Sequence, residues 1–218
     1  NVWIARADGS GSRRISADDD GAVRTSPEWS ADGKSVYVSR YRIRIDRYEL
    51  WRHPVDGGGG ELVVAAKPTD DSPYDSWQST LGAAASSDGK YLYYARHTGN
   101  LSFDAPVPWT IVRRDLSSGA EETIVGSSGG REAGDETFFR PAISPDGKLL
   151  AYATRRMAET RLRVRDLARG IDRDLGPAPL DLMNGAASLD LIPRYSFTPD
   201  SKAILIAYQG RIERRAVD

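Results

Sequence analysis

The chain has 218 residues, 39% hydrophobic and 28% charged, a balance that belongs to a folded globular protein and excludes a disordered or low-complexity one. Thirty basic residues against 31 acidic ones leave a net charge of −1, so no global field gathers nucleic acid or an anionic membrane. Cysteine is absent, which removes disulfides and thiolate metal sites, and no apolar run reaches the roughly 20 residues needed to span a bilayer.

The chain opens at Asn1-Val2-Trp3-Ile4 with neither an initiator methionine nor a signal peptide, and reads as a piece of something longer. Residues 3–9 then run into an acidic turn, Asp8-Gly9. A different block follows at Trp29-Ser30-Ala31-Asp32-Gly33-Lys34. It returns at Ala85-Ser86-Ser87-Asp88-Gly89-Lys90, at Ile143-Ser144-Pro145-Asp146-Gly147-Lys148, and at Phe197-Thr198-Pro199-Asp200-Ser201-Lys202. The four aspartates stand 56, 58 and 54 residues apart, and a constant period is the mark of a repeat architecture.

Each block has a local physical reading. Asp-Gly between apolar runs is a hairpin signal, because glycine accepts positive φ and aspartate bonds its own backbone. Asp32, Gly33, Asp88, Gly89, Asp146, Gly147 and Asp200 are therefore the predicted structural turn residues. A dense apolar strand follows each of them: Val36-Tyr37-Val38, Tyr91-Leu92-Tyr93-Tyr94, Leu149-Leu150-Ala151-Tyr152 and Ala203-Ile204-Leu205-Ile206. Strands so poor in polar residues suit a sheet covered on both faces. A second element, in which apolar and basic residues alternate before an acidic turn, recurs at residues 3–9, 50–57, 111–116, 162–167 and 212–218, and a short strand follows it. Four strands per period make the blade of a propeller.

The Ser-Pro-Asp-Gly-Lys block, its apolar strand and the strand closing on an acidic turn together resemble the repeat of TolB-type β-propellers, across nearly the whole chain. Ala31 and Ser87 replace the proline of that block and Ser201 replaces its glycine. More narrowly, residues 80–85, 103–109 and 192–200 resemble the propeller that precedes the catalytic barrel in bacterial TolB-like amidohydrolases. Such propellers are also similar to those that cap prolyl-oligopeptidase-type peptidases and to the stand-alone interaction propeller. The expected architecture is all-β, a single propeller region of four-stranded antiparallel blades with about four repeat units. It comprises a partial blade at 1–25, blades at about 26–78, 79–135 and 136–191, and a partial blade at 192–218. Both ends fall in the same part of the repeat, so residues 2–7 and 211–217 would compete for one strand place if the ring closed on itself. The expectation is an open piece of a larger propeller, able to self-associate through open blade edges.

Catalytic motifs are sparse. His53 and His97 are the two histidines, with no His-x-His pair. His53 is expected on the surface of an outer third strand and His97 in a loop. There is no nucleophile elbow, and Gly57-Gly58-Gly59-Gly60 reads as a flexible turn because no helix follows to make it a phosphate cradle. No cofactor or metal is implied, and the chain by itself is not expected to be an enzyme. Binding is expected at the channel mouth, where second-to-third strand loops converge. Arg40, Tyr41, Arg96, His97 and Arg155 mark those strand ends, and Arg40, Arg96 and Arg155 are taken as equivalent positions forming one arginine-bearing face. Arg140 and Arg194, each six residues before a turn aspartate, are expected to face the channel. The resemblance implies a non-catalytic domain of a larger periplasmic or otherwise extracytoplasmic hydrolase of the amidohydrolase type. Its partner would be the catalytic domain or another protein, in contact with guanidinium groups.

Overall fold

Each of the four predicted turns joins the first two strands of an antiparallel sheet. In the first, the Ser30 hydroxyl donates to Asp32 Oδ1 at 2.6 Å, the Lys34 amide donates to the same oxygen at 3.0 Å, and the Ser35 amide closes on Ser30 Oγ at 2.9 Å. Ser86, Asp88 and Lys90, Ser144, Asp146 and Lys148, and Thr198, Asp200 and Lys202 repeat the arrangement. The residue after the aspartate takes positive φ each time: 67° at Gly33, 70° at Gly89, 72° at Gly147 and 60° at Ser201. These bonds hold all four carboxyls below their ordinary pKa of 3.8, the Ser or Thr hydroxyl contributing most.

The computed structural model describes residues 1–17, 20–99, 108–126, 136–156, 159–179 and 194–218. Among them the strands are β1 (Trp3–Ile4), β2 (Arg13–Arg14), β3 (Arg24–Trp29), β4 (Ser35–Arg42), β5 (Arg47–Pro54), β6 (Glu61–Val64), β7 (Gln78–Ala85), β8 (Tyr91–Thr98) and β9 (Thr110–Asp115). They continue as β10 (Glu121–Val125), β11 (Glu136–Ile143), β12 (Leu149–Arg156), β13 (Glu159–Asp166), β14 (Ile171–Pro177), β15 (Tyr195–Phe197), β16 (Ala203–Tyr208) and β17 (Arg211–Ala216). Three sheets have four strands in sequence order, β3 to β6, β7 to β10 and β11 to β14; β15 to β17 form a three-stranded sheet and β1 with β2 a two-stranded one. All pairings are antiparallel between sequence neighbours, which is the meander of a propeller blade. The chain is an all-β propeller, and no helix among the described residues is long and apolar enough to cross a membrane.

The second strands carry the core. Counted from the turn aspartate, positions +4 and +6 point to the preceding sheet: Val36 and Val38 share a cluster with Val2 and Ile15 of the β1–β2 hairpin. Positions +5 and +7 point to the following sheet, so Tyr37 and Leu50 of the first blade pack with Leu92 and Tyr94 of the second. The same alternation runs from Tyr93 and Ala95 through the third blade to Ile204 and Ile206 of the last. The β1–β2 hairpin and the β15–β17 sheet are not hydrogen-bonded to each other.

Both histidines depart from expectation. His53 lies on β5 as foreseen but is fully buried, and His97 lies within β8, buried, with Nδ1 3.0 Å from the Pro108 carbonyl and its ring 5.9 Å from that of Trp109. Both imidazoles thus fill interior positions, His53 against Gly60 of its own blade and His97 against Trp109.

Candidate functional site

The innermost strand of each complete blade carries the same irregularity. Its pairing register shifts between Thr25 and Glu28 in β3, between Leu81 and Ala84 in β7, and between Phe139 and Ala142 in β11. At each shift the residue six before the turn aspartate has positive φ: 51° at Ser26, 70° at Gly82 and 60° at Arg140. A bulge turns side chains out of the normal alternation, and here it aims that position at the propeller axis. Holding Ser and Arg in the left-handed region costs on the order of 1–3 kcal/mol, which the surrounding sheet must overcome. A bond fixes each of the last two bulges: the Gly82 amide donates to Ser39 Oγ at 2.9 Å, and the Tyr195 hydroxyl donates to the Arg140 carbonyl. Burial pushes the Tyr195 hydroxyl far above its ordinary value, so it remains a donor.

The four innermost strands enclose a cavity of about 280 Å³. One tier of its wall is Ser26, Gly82, Arg140 and Arg194, all six residues before their turn aspartates; the next is Glu28, Ala84, Ala142 and Ser196, all four before. Arg140 and Arg194 both line this cavity. Among the described residues the charged lining is these two guanidiniums and one carboxylate. Arg194 Nη1 stands 3.8 Å from Glu28 Oε2, joining the last blade to the first across the space. Burial against the wall raises the Glu28 carboxyl above its ordinary 4.5, and Arg194 opposes that shift. Ser87 and Pro145 place the mouth at the turn end of the blades.

The other foreseen residues lie elsewhere. Arg40 pairs with Asp20 and covers the Trp51 ring at 4.5 Å, and Tyr41 donates to Asp46, which with burial pushes its hydroxyl up to about 12. Arg96 reaches Glu121 at 2.7 Å, a carboxylate also bound by Arg114 at 2.8 Å. Arg40 and Arg96 stand eight residues past their turn aspartates, opposite Arg24 and Thr80; the residue in that place in the third blade is Thr154, opposite Phe138. Arg155 stands nine past, opposite Thr137, on the other face of its sheet. The three arginines are thus not equivalent, and none of them lines the cavity. Residues 103–107, 157, 158 and 180–193 lie outside the described residues. Sequence reasoning missed Ser26, Glu28 and Tyr195, although the six-residue offset that marks Arg140 and Arg194 also marks Ser26. Among the described residues no group of three or more His, Asp or Glu is gathered as a metal site.

No protein-family model and no curated protein matches the sequence. Solved structures do match. Prolyl endopeptidases align at a TM-score of 0.55 with 15% identity over 97% of this chain and 28% of theirs. A nidogen/laminin complex aligns at 0.56 with 12% identity over 89% and 59%. TolB from Acinetobacter baumannii aligns at 0.46 with 16% identity over 98% and 58%. The chain thus spans less than two thirds of the length of each. What the two likenesses above 0.5 establish is the fold alone: the chain is a β-propeller.

Proposed function

We propose that this chain is a non-catalytic binding propeller belonging to a larger extracytoplasmic hydrolase, of the amidohydrolase type that its repeat resembles. In this reading the central cavity docks a carboxylate-bearing segment of the catalytic domain or of a partner protein and restricts access past the propeller. The observation that carries it is the delivery of Arg140 and Arg194 from separate blades to one tier of the cavity, one of them on strained backbone. A planar guanidinium fork is matched to a carboxylate. The prolyl endopeptidase likeness, over 97% of this chain and only 28% of theirs, favours a second reading as the propeller cap of a prolyl-oligopeptidase-type peptidase.

The test is titration with a glutamate-rich hexapeptide and its glutamine counterpart as control. The acidic peptide should bind and the double variant Arg140→Ala/Arg194→Ala should not; equal binding of both peptides, or of both proteins, sinks the docking role. The coding sequence around these 218 residues separates the parents. A His-x-His with further His and Asp supports the amidohydrolase, a Gly-x-Ser-x-Gly elbow the peptidase, and neither a stand-alone interaction protein like TolB.

A further inference from the structure

The four second strands carry the same kind of residues at equivalent positions, yet one face of the last is bare. Position +5 is Tyr37, Tyr93, Ala151 and Leu205; the first three are 3%, 3% and 0% exposed, and Leu205 is 39% exposed. Across the ladder from position +7 stand Leu50, Ile111, Leu162 and Ile212. The first three are fully buried, and Ile212 is 79% exposed. Ala207, between Leu205 and the end of β16, is exposed as well. The opposite face of the same sheet is buried normally, with Ile204 and Ile206 at 0% and 1%.

In the three complete blades this +5/+7 face is closed by the +4/+6 face of the blade that follows. We infer that the Leu205, Ala207 and Ile212 face of the β15–β17 sheet is the seat of a further blade of the same repeat. That blade would present an apolar second strand as Leu92 and Tyr94 or Leu150 and Tyr152 do. A second copy of this chain is a poorer occupant. Its matching +4/+6 faces are all covered already, Val36 and Val38 by Val2 and Ile15 and the others by the preceding blade. An apolar face left in water is unfavourable in proportion to its area, and antiparallel sheets with one solvated face place polar residues there, not Leu and Ile. The inference goes beyond the docking role of the cavity and does not depend on it.

The chain has no cysteine, so a single introduced thiol reports on this face cleanly. Ile212→Cys in the 218-residue chain should react with a maleimide at the rate of an exposed thiol, with Leu162→Cys as the buried control, while sedimentation shows a monomer. In the complete polypeptide that its gene encodes, Ile212→Cys should be slowed at least about tenfold, because a covered thiol reacts only on local opening. That polypeptide should also carry a fifth turn block, 54 to 58 residues after Asp200, at the spacing of the other four. Protection of Ile212→Cys in the short chain, a dimer that Leu205→Asp dissolves, equal reactivity in both lengths, or a gene without a fifth block would each overturn the inference. The Arg140→Ala/Arg194→Ala double variant leaves all of these readouts unchanged, so the two ideas fail separately.

Discussion

Glu28 of the first blade and Arg194 of the last face each other at 3.8 Å across a cavity to which Arg140 adds a second guanidinium. Both partners are more than a third exposed, so the pair itself contributes only about 0–1 kcal/mol to stability. Its consequence is for ligand charge. Burial raises the Glu28 carboxyl, so ionising it costs folding stability; that stability is full below 4.5 and declines as pH rises through the raised value. Protonation also removes the negative charge of the one carboxylate among the described lining residues. Affinity for the acidic hexapeptide should therefore rise as pH falls from neutral toward the raised Glu28 value, and then fall as the peptide's own carboxyls, near about 4.3, protonate. Glu28→Gln should bind more tightly at neutral pH and lose the rising part of the profile. A profile unchanged by Glu28→Gln would separate Glu28 from binding.

Loss of either guanidinium should weaken that binding by about 1.5–3 kcal/mol, roughly tenfold or more, as for other charge-assisted bonds. Arg96→Ala, by contrast, should lower the melting temperature and spare binding, because it leaves Glu121 with Arg114 as its remaining guanidinium partner. Calorimetry on the two variants separates the cavity from the loop-side arginines.

Ser201 occupies the position that glycine fills in the other three turns, at φ 60°, and its hydroxyl accepts from the Asp146 amide at 3.2 Å. Ser201→Gly relieves a left-handed residue worth about 1–2 kcal/mol and gives up a bond worth about 1 kcal/mol, so its stability should stay near the parent's. Ser201→Ala loses the bond and keeps the strain, and should fall about 1–2 kcal/mol below Ser201→Gly in urea unfolding.

Gly60 faces the buried His53, and a Cβ there would lie 2.6 Å from His53 Cε1. Gly60→Ala should destabilise by about 1–3 kcal/mol through overpacking, and His53→Ala in the same chain should remove most of the added penalty. Additive effects in the double variant would show that the two sites do not touch.

The four turn aspartates give the fold an acid limb. Their carboxyls are depressed below 3.8 by hydroxyl and amide donors, so the stability they provide is present above 3.8 and disappears as pH falls through the depressed values. Replacing Asp32 and Asp88 by Asn should flatten the decline of melting temperature between about pH 4 and pH 2. An unaltered decline would place the acid sensitivity elsewhere, for instance at Asp115, which Ser117 and Ser118 hold at about 2.

The turns and the blade order were legible in the sequence because their causes are local. Ser30, Asp32 and Lys34 make the side-chain bonds of their turn within six residues, so the motif carries its own geometry. The six-residue offset of Arg140 and Arg194 was legible for the same reason. Arg155 was misplaced because strand side chains alternate, and one residue in the spacing moves a group to the other face of the sheet. Ser26 and Arg140 were hidden as bulge residues since neither is glycine, and positive φ at such residues is imposed by the strands around them.

What the sequence determined by itself is a hairpin repeated four times, with an apolar strand after every turn, because propensity and turn bonding act over a few residues. Which faces of those strands are dry was decided only by the tertiary structure. Leu50, Ile111, Leu162 and Ile212 are of one chemical kind and hold one place in the ladder, and three are buried while the fourth stands in solvent. The difference lies in the neighbouring sheet, since burial belongs to what packs against a residue and a strand cannot encode its own cover.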